Sequence, residues 1–351
     1  MRYWVGGATG FLGSHVVKCL RDAGHEVVLA SRSGGEVAGI PVSRVDVLDA
    51  DRVAESARGT DGAFLVTGKV SRDAADAEEL HRTNVLGTRS ALAGIGKAGV
   101  RRVVYVSTSG TIAISDRADH VATEADPPPL EHLSRWPYYR TKYHAELEAL
   151  EANLPPAFEV VIVNPSLLLG PGDTRGSSTG DVRKFLEGEI LATPRGGLAL
   201  VDVRDAAAAT AAAMEHGAAG ERYILSAANL SLAAFFDRLA RVSGVPAPRL
   251  ALPRSPVLSA ELTRLFGRAV RAIGGEPPMD AASVEMGQHY WYCDAGKAMH
   301  ALGFMPRDVT DTLRDTVEDL VSRGVAHPRA GLYAEGAVPA PGRSGTDLLS
   351  P

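Results

Sequence analysis

The chain has 351 residues, of which 45% are hydrophobic and 23% charged, and its formal net charge at pH 7 is −5. A chain of this length exceeds a usual single core, so we expect one large α/β unit and a smaller lobe. The acidic balance excludes the basic surface of a protein that binds nucleic acid or anionic membrane, and no apolar run approaches the roughly 20 residues of a membrane helix.

The first elements frame a glycine-rich turn. An apolar run at residues 3–5 predicts a strand, and apolar residues at helical spacing over 12–20 predict a helix. Between them stand Gly7, Gly10 and Gly13. We expect Gly7 to make the turn, Gly10 to leave room for a phosphate and Gly13 to let the helix pack closely on the strand. Glycine-rich turns are also common without a ligand, so this motif alone leaves both interpretations open.

Further short apolar runs alternate with helical segments along the chain. They predict buried strands at residues 27–30, 41–45, 63–66, 103–106 and 160–163. Such alternation predicts a Rossmann-type doubly wound parallel sheet, which is an α/β fold, together with a smaller C-terminal substrate lobe. Two later runs, 199–201 and 223–225, are expected to return to the same sheet.

These elements predict the domain organisation. Residues 1–170 are expected to form a dinucleotide-binding domain to which 198–227 return. Segments 171–197 and 228–330 are expected to form the substrate lobe. The final stretch, 331–351, is rich in Gly, Pro and Ala, which is typical of a flexible tail.

A tyrosine and a lysine stand four residues apart in a segment that predicts a helix. Tyr138 and Lys142 therefore share one helix face. A tyrosine hydroxyl, with an ordinary pKa of about 10, becomes an effective acid-base group when a nearby ammonium stabilises its phenolate. Lys142 can supply that charge. The same spacing is also typical of an amphipathic surface pair, and the glycine motif upstream favours the catalytic interpretation.

Together these motifs resemble the extended short-chain dehydrogenase/reductase family, especially its dihydroflavonol-reductase-like branch with bacterial sugar-epimerase-like relatives. The resemblance extends from Arg2 to about Gly324. The segments that carry it are 7–13, 84–88, 102–109, 138–142, 163–166, 170–173, 201–205, 220–225 and 302–306. It implies a nicotinamide cofactor and a carbonyl or hydroxyl substrate.

The end of the second strand bears on which cofactor is used. NAD-preferring enzymes place an acidic residue there for the ribose 2′-hydroxyl, whereas a guanidinium suits a 2′-phosphate. Residues 30–33 read Ala-Ser-Arg-Ser. We therefore expect Arg32, aided by Ser31 or Ser33, to bind NADP(H), with NAD(H) a weaker alternative. An arginine on a surface loop is the other interpretation.

The remaining cofactor contacts follow from the resemblance. Asp46 and Val47 are expected to flank the adenine, although an Asp in a turn competes closely with this interpretation. The backbone of Ser166 and Leu167 is expected to hold the nicotinamide carboxamide. The full set of further predicted contacts is Gly7, Thr9, Gly10, Phe11, Leu12, Gly13, Val66, Thr67, Gly68, Ser107, Tyr138, Lys142, Pro165, Ser166 and Leu167.

Ser109 is predicted as the third catalytic group beside Tyr138 and Lys142, because a donor is needed where negative charge develops on the carbonyl oxygen. Ser107 is expected to satisfy backbone at the strand end, and Thr108 to bridge the cofactor or the tyrosine. The implied reaction is hydride delivery from NADPH to a ketone or aldehyde, with the proton supplied by the tyrosine.

Two supporting positions are also interpreted from the resemblance. Asn84 is expected to support the backbone around the active site. Lys69 stands where relatives are often Ala-rich, and we expect it to face solvent. Thr141 replaces a frequent Ser.

The substrate pocket is predicted only by composition. Apolar and aromatic residues in suitable segments indicate an apolar or aromatic substrate, although such residues are also typical of ordinary core. They are Leu130, Leu133, Trp136, Leu167, Leu168, Met279, Met286, Tyr290, Trp291 and Tyr292.

Two other function classes remain open. A nucleotide-sugar epimerase or dehydratase with tightly bound NAD(P) ranks second, because residues 171–200 contain no asparagine, which that site commonly uses in this family. A noncatalytic NADP-binding regulator ranks third, because such proteins tend to lose the tyrosine or the lysine.

Metal and disulfide chemistry are not indicated. The ten histidines show no metal-ligand spacing, and the two cysteines, Cys19 and Cys293, are expected to be buried small hydrophobes. Because the first strand begins at the second residue, we expect no leader segment and a cytoplasmic enzyme. We expect it to act on a small molecule as a monomer or homodimer.

Overall fold

A computed structural model describes residues 1–253, 255–272, 281–328 and 330–333. The strands in this part are β1 (Arg2–Gly6), β2 (Glu26–Ser31), β3 (Gly35–Val37), β4 (Ile40–Arg44), β5 (Gly62–Leu65), β6 (Arg102–Val106), β7 (Glu159–Pro165), β8 (Leu167–Leu169), β9 (Ala192–Thr193), β10 (Gly197–Asp202), β11 (Arg222–Leu225), β12 (Ala228–Ser231) and β13 (Leu250–Ala251).

The α-helices alternate with these strands in the first half of the chain and dominate the second. They are α1 (Phe11–Asp22), α2 (Ala50–Ala57), α3 (Ala77–Leu80), α4 (Gly87–Lys97), α5 (Leu130–Leu133), α6 (Pro137–Ala152), α7 (Gly180–Leu186), α8 (Val203–His216), α9 (Leu232–Ser243), α10 (Pro256–Ala272), α11 (Ala281–Met286), α12 (Gly296–Leu302) and α13 (Val309–Ser322). A π-helical turn spans His81–Leu86, and short 3₁₀ turns span Ala74–Asp76 and Ser109–Thr111.

The main sheet has eight strands in the order β11-β7-β6-β5-β1-β2-β4-β3, and its neighbours pair in parallel except at the β3 edge. One face packs on α1 and α8, and the other on α2, α4 and α6. Both faces are covered, so the central strands are buried on both sides, as continuous apolar runs require. The predicted α/β, Rossmann-type doubly wound fold is confirmed.

A smaller sheet of three strands, in the order β12-β10-β8, supports the C-terminal lobe. The prediction that residues 199–201 return to the main sheet is therefore wrong, whereas 223–225 do return, as β11 beside β7. Pro165 ends β7, and the chain then turns away to form β8, which offers β10 a new edge. An apolar run predicts a strand without naming its partner, because any free edge satisfies the same backbone groups.

The lobe has its own apolar core, built from α7, α9, α13 and the inner faces of β8 and β10. Residues 334–351, which include most of the predicted tail, lie outside the described residues. Within the described part, no helix has the length and apolar character needed to cross a bilayer.

Candidate active site

A cleft of about 1310 Å³ opens at the carboxyl ends of β1, β2, β5, β6 and β7 and continues beneath the lobe. Ligands of open α/β sheets bind at this edge, because the loops that follow parallel strands converge there. The predicted cofactor segments and the Tyr/Lys pair all line this one cleft.

The glycine turn has no room for side chains. Gly7 has a φ of +83°, and a Cβ there would lie 2.9 Å from the Thr67 backbone nitrogen. At Gly13 an added Cβ would lie only 2.2 Å from the Gly7 carbonyl oxygen. Gly10 caps α1 without a side chain, so the first amides of the helix remain open to the cleft. A pyrophosphate fits this cradle of amides at a helix N-terminus.

The end of β2 forms one rim of the cleft. Arg32 extends outward with a 70% exposed side chain, and its guanidinium lies 3.9 Å from the Glu79 carboxylate. Ser31 is buried, with its hydroxyl directed to the Gly34 carbonyl at 3.3 Å. Asp46 accepts a hydrogen bond from the Leu48 amide at 3.0 Å, as the turn interpretation expects, and it also lines the cleft.

Two hydroxyls on the cleft wall are without a protein partner among the described residues. They belong to Thr67, after β5, and Ser107, after β6, and both oxygen atoms are buried. Buried polar groups are normally hydrogen-bonded, so such unsatisfied hydroxyls fit a polar ligand in the cleft. Both residues belong to the predicted cofactor contacts. The expectation that the Ser107 side chain satisfies backbone at the strand end is wrong for the described residues, because its hydroxyl has no partner there.

Asn84 connects the loop after β5 to the catalytic helix. Its side-chain oxygen accepts from the Lys69 amide at 2.8 Å, and its amide donates to the Lys69 carbonyl at 3.0 Å and to Thr141 Oγ1 at 3.1 Å. Thr141 in turn donates to the Tyr138 carbonyl. The prediction that Asn84 supports the backbone of the site is confirmed.

Lys69 is expected to face solvent rather than to contact substrate, and the structure shows it partly exposed at the mouth of the cleft and held in ion pairs. Its side chain is only 24% exposed, and its ammonium pairs with Asp76 at 3.1 Å and with Glu79. These acids stand three residues apart on consecutive helical turns, so one cation reaches both. Lys69 and Arg32 thus contact the same carboxylate at the mouth of the cleft.

Helix α6 begins with Pro137 at its first position and places Tyr138 and Lys142 along the cleft. Lys142 is buried, and its ammonium donates to the Tyr105 hydroxyl at 2.9 Å and to the Val106 carbonyl at 2.8 Å. Burial lowers the pKa of Lys142 to about 8, although the charge of Glu146 raises it. The structure brings the predicted pair together on one helix face.

Burial also acts on the tyrosine, in the direction that favours its neutral form. Tyr138 lines the cleft, and its burial there raises the pKa of its hydroxyl, with a smaller effect from Tyr139 in the same direction. The rings of these two tyrosines meet edge to face at 4.9 Å. That Lys142 lowers the Tyr138 pKa stays a prediction.

Three consecutive hydroxyl residues follow β6. Ser109 is buried, and burial raises the pKa of the Cys293 thiol in its neighbourhood to about 12. Thr108 Oγ1 accepts from the Gly110 amide at 3.3 Å, which leaves its own proton for a ligand. Both residues line the cleft, so two hydroxyls can act as the carbonyl donor.

The nicotinamide end of the predicted cofactor site follows β7. Pro165, Ser166 and Leu167 all line the cleft. The Ser166 amide and hydroxyl both donate to the Leu225 carbonyl, at 2.9 and 3.0 Å. A carboxamide at this position would therefore use the Ser166 carbonyl or Leu167.

An aromatic and apolar wall lies beside Tyr138 in the cleft. The rings of Tyr139 and Trp291 lie 4.7 Å apart, and Met286 packs beside them. Of the predicted pocket residues, Leu167, Leu168, Met286 and Trp291 line the cleft.

The other pocket predictions have a different outcome. Leu133 and Trp136 are buried behind the wall, and Leu130, Tyr290 and Tyr292 are not among the lining residues. Met279 lies outside the described residues. Sequence reasoning missed Tyr139, whose place beside Tyr138 was a usable signal, and the lobe residues Ile190, Leu198, Phe235 and Phe236.

Comparison with known proteins decides the family. The model of the NAD dependent epimerase/dehydratase family matches residues 3–226. The chain belongs to this family. It is accordingly an NAD(P)-dependent enzyme of the extended short-chain dehydrogenase/reductase type, and the resemblance drawn from its motifs is confirmed.

Relatives of this epimerase/dehydratase-family enzyme include reductases. It is 34% identical over 332 residues to "Putative dihydroflavonol 4-reductase" of Synechocystis sp., covering 92% of this chain and 95% of that protein. It is 30% identical over 329 residues to 4-hydroxy-2-methyl-3-oxo-4-farnesyl-3,4-dihydroquinoline-1-oxide ketoreductase of Stigmatella aurantiaca, covering 88% and 92%.

Among solved structures, that of gox2253 is similar with a TM-score of 0.78 at 28% identity, covering 92% of this chain and 99% of the other. The structure of PA4631, a nucleoside-diphosphate-sugar epimerase from Pseudomonas aeruginosa, is similar with a TM-score of 0.73 at 25% identity, covering 93% and 99%. The proteins to which this enzyme is similar therefore include both reductases and an epimerase.

A charged contact joins three residues that line the cleft. Arg72, after β5, pairs with the Asp181 carboxylate of α7 at 2.8 Å and donates to Ser283 of α11 at 2.9 Å. No sequence pattern predicts this contact, because its members lie more than a hundred residues apart.

A second cluster lies behind the aromatic wall. His289 Nδ1 is 2.6 Å from the Asp116 carboxylate, and His132 Nε2 is 3.3 Å from the same oxygen atom. The spacing of these histidines along the chain could not reveal this. The three groups have metal-ligating chemistry, but His289 Nε2 is buried without a partner in the described chain, whereas metal-bound histidines usually donate this second nitrogen to an acceptor. The hydrogen bonds of His132 and His289 to Asp116 account for the cluster. They join the loop before α5, which contains Asp116, to the lobe segment that contains His289.

Proposed function

We propose that the enzyme reduces a ketone or aldehyde on a small apolar or aromatic substrate, using NADPH. The observation that carries the proposal is that Tyr138 lines the same cleft as the glycine turn and contacts the wall formed by Tyr139 and Trp291. This cleft therefore combines a proton donor, a cradle suited to phosphate and a surface suited to a flat apolar molecule.

Cofactor preference is proposed to depend on Arg32. Its exposed guanidinium, next to Ser31 and Ser33 at the end of β2, suits a 2′-phosphate, and residues 30–33 include no acid that would repel one. When bound, the reduced nicotinamide supplies the hydride.

The remaining groups have distinct proposed roles. Tyr138 gives its proton to the carbonyl oxygen. Lys142 uses two of its three N–H donors on Tyr105 and Val106, which leaves the third for a ribose hydroxyl beside the tyrosine. Ser109, or Thr108 with its available proton, holds the carbonyl oxygen where charge develops. The lobe formed by 171–197 and 228–330 is proposed to cover the substrate.

The second candidate is a nucleotide-sugar epimerase or dehydratase, which the likeness to PA4631 favours. In that reaction the hydride returns to the substrate, and the bound cofactor is regenerated. The reductase is preferred because the lobe segment 171–200 has no asparagine and the cleft wall is aromatic.

The test is a mass-spectrometric screen of carbonyl compounds with NADPH, alongside nucleotide sugars. We expect a product two hydrogens heavier than its substrate, with one NADPH consumed per turnover. Conversion of a nucleotide sugar with tightly held cofactor and no net change in NADP(H) would promote the second candidate. Comparing Ser109→Ala with Thr108→Val then identifies the carbonyl donor, because only the residue that makes this bond should affect turnover strongly.

A further inference from the structure

Glu146 is the third polar residue on the catalytic face of α6. It follows Lys142 by four residues, as Lys142 follows Tyr138, so the three side chains lie along one face. Its side chain is only 2% exposed. A buried carboxylate is unfavourable unless several donors compensate for lost water, so its partners need explanation.

Three side chains from three other elements donate to this carboxylate. Asn164 of β7 donates at 2.9 Å and Thr111 of the 3₁₀ turn at 3.0 Å, both to Oε2. Arg222 of β11 donates to Oε1 at 3.3 Å. Glu146 therefore joins the catalytic helix to the ends of two strands of the main sheet and to the turn after β6.

The same donors lead to the cleft. Asn164 also donates to the Thr108 carbonyl at 3.1 Å. Thr111 Oγ1 lies 2.9 Å from that carbonyl and 3.0 Å from Glu146 Oε2, so its single proton is shared between these two acceptors. Asn164 directly precedes Pro165, where β7 ends at the cleft. Thr108 and Pro165 both line the cleft, so the carboxylate anchors two cleft segments from behind.

The charge of Glu146 also acts on Lys142. From β6, Lys142 faces the Tyr105 hydroxyl and the Val106 carbonyl, and from its own helix it faces Tyr138 and Glu146. Burial and the charge of Glu146 act in opposite directions on the Lys142 pKa, burial being the larger. The positive charge of Arg222, which pairs with Glu146, partly offsets its negative charge.

We propose that Glu146 is a positioning residue whose buried carboxylate keeps Lys142 in its ammonium form and fixes the Thr108 and Pro165 segments behind the catalytic tyrosine. Its effect on Lys142 is independent of the substrate. Its catalytic consequence rests on the proposed reductase function.

The first experiment measures Lys142 directly. The chain contains six lysines, so lysine labelled with ¹³C at Cε gives a simple NMR spectrum in which Lys142→Arg identifies the signal. In Glu146→Gln the Lys142 pKa should fall by about one unit, the smallest shift expected from a nearby charge. The matched control is Glu148→Gln on the same helix, which loses a surface pair with Arg89 and should leave the Lys142 pKa unchanged. An unchanged Lys142 pKa in Glu146→Gln would overturn the proposal.

Two further variants keep the proposal testable if Glu146→Gln does not fold. Glu146→Asp keeps the charge and should retain most of the wild-type Lys142 pKa. Arg222→Gln removes the opposing cation and should move the Lys142 pKa upward, opposite to Glu146→Gln. If Arg222→Gln leaves the pKa unchanged or lowers it, the electrostatic role of Glu146 is refuted even where Glu146→Gln does not fold.

The kinetic experiment is a pH profile of kcat/KM for the reduction. The limb at which Lys142 loses its proton should move to lower pH in Glu146→Gln by the shift seen in NMR, and Glu148→Gln should follow the wild type. A lower rate at every pH with no movement of the limb contradicts the proposal. If the NMR shift occurs but no carbonyl compound is reduced by the wild type, the effect on Lys142 stands and the reductase function fails.

Discussion

The two halves of the cleft are built in different ways. On the proposed cofactor side, short stretches such as 7–13 and 30–33 form the wall by themselves, each at the end of one parallel strand. On the proposed substrate side, the wall takes single residues from distant elements, such as Tyr139 of α6, Phe235 of α9 and Trp291 after α11. A site formed by the backbone of one turn can be predicted from a motif, whereas a site formed by converging side chains depends on how the lobe packs.

The catalytic helix connects the halves, and the largest expected effect is there. Tyr138→Phe keeps the ring contact with Tyr139 but removes the proton donor. We expect turnover to fall about 10²–10⁴-fold, as for loss of general acid catalysis, with NADPH affinity little changed. The control is Tyr143→Phe, on the same helix but not among the cleft-lining residues. Near-normal turnover in Tyr138→Phe would show that the mechanism is wrong.

Crowding at the glycine turn is expected to give the next largest effect. In Gly13→Ala the new Cβ meets the Gly7 carbonyl, so the helix must move away from the strand. Overpacking of this kind costs about 1–3 kcal/mol, and we expect a lower free energy of unfolding together with weaker NADPH binding.

Gly96→Ala on α4 is the matched control, because its Cβ would be 3.7 Å from the Phe158 ring, an ordinary contact. It should be neutral or stabilising by up to about 1 kcal/mol. Urea unfolding and cofactor titration compare the two variants. Equal unfolding free energies and equal NADPH affinities in the two variants would mean that the turn tolerates a side chain at residue 13. Backbone crowding would then not be a requirement of the proposed cofactor site.

Arg32→Ala tests the cofactor side at its exposed rim. We expect NADPH to bind at least about tenfold more tightly than NADH in the wild type, equal to about 1.4 kcal/mol, and this preference to disappear in the variant. Arg52→Ala, which loses only a surface pair with Glu55, is the control. Equal affinities for NADPH and NADH in the wild type would contradict the assignment.

The smallest effect on stability is expected at His289, which lies behind the aromatic wall. Burial lowers the pKa of His289, although the hydrogen bond to Asp116 raises it. The unfolded chain then binds this proton more readily, so the free energy of unfolding should decrease as the pH falls through the ordinary histidine value of 6.5. His289→Gln should flatten this dependence between pH 8 and 5, and His144→Gln, an exposed histidine on α6, should not. Stability that rises with acidity would mean that the Asp116 bond outweighs burial.

The sequence by itself determined the doubly wound sheet, the glycine turn and the helix that carries Tyr138 and Lys142. Each of these depends on local periodicity or on the steric needs of a few adjacent residues. Even so, the burial that raises the Tyr138 pKa could not be read from the Tyr/Lys spacing, because it depends on what surrounds the helix.

Only the tertiary structure decided where 199–201 pair, which acids hold Lys69, and which side chains converge on Glu146 and His289. In each case the partners are separated along the chain, and one charge or one free strand edge can be satisfied in several ways. The packing of the folded chain determines which partner is used, because a buried charge or strand edge needs a partner within a few ångströms.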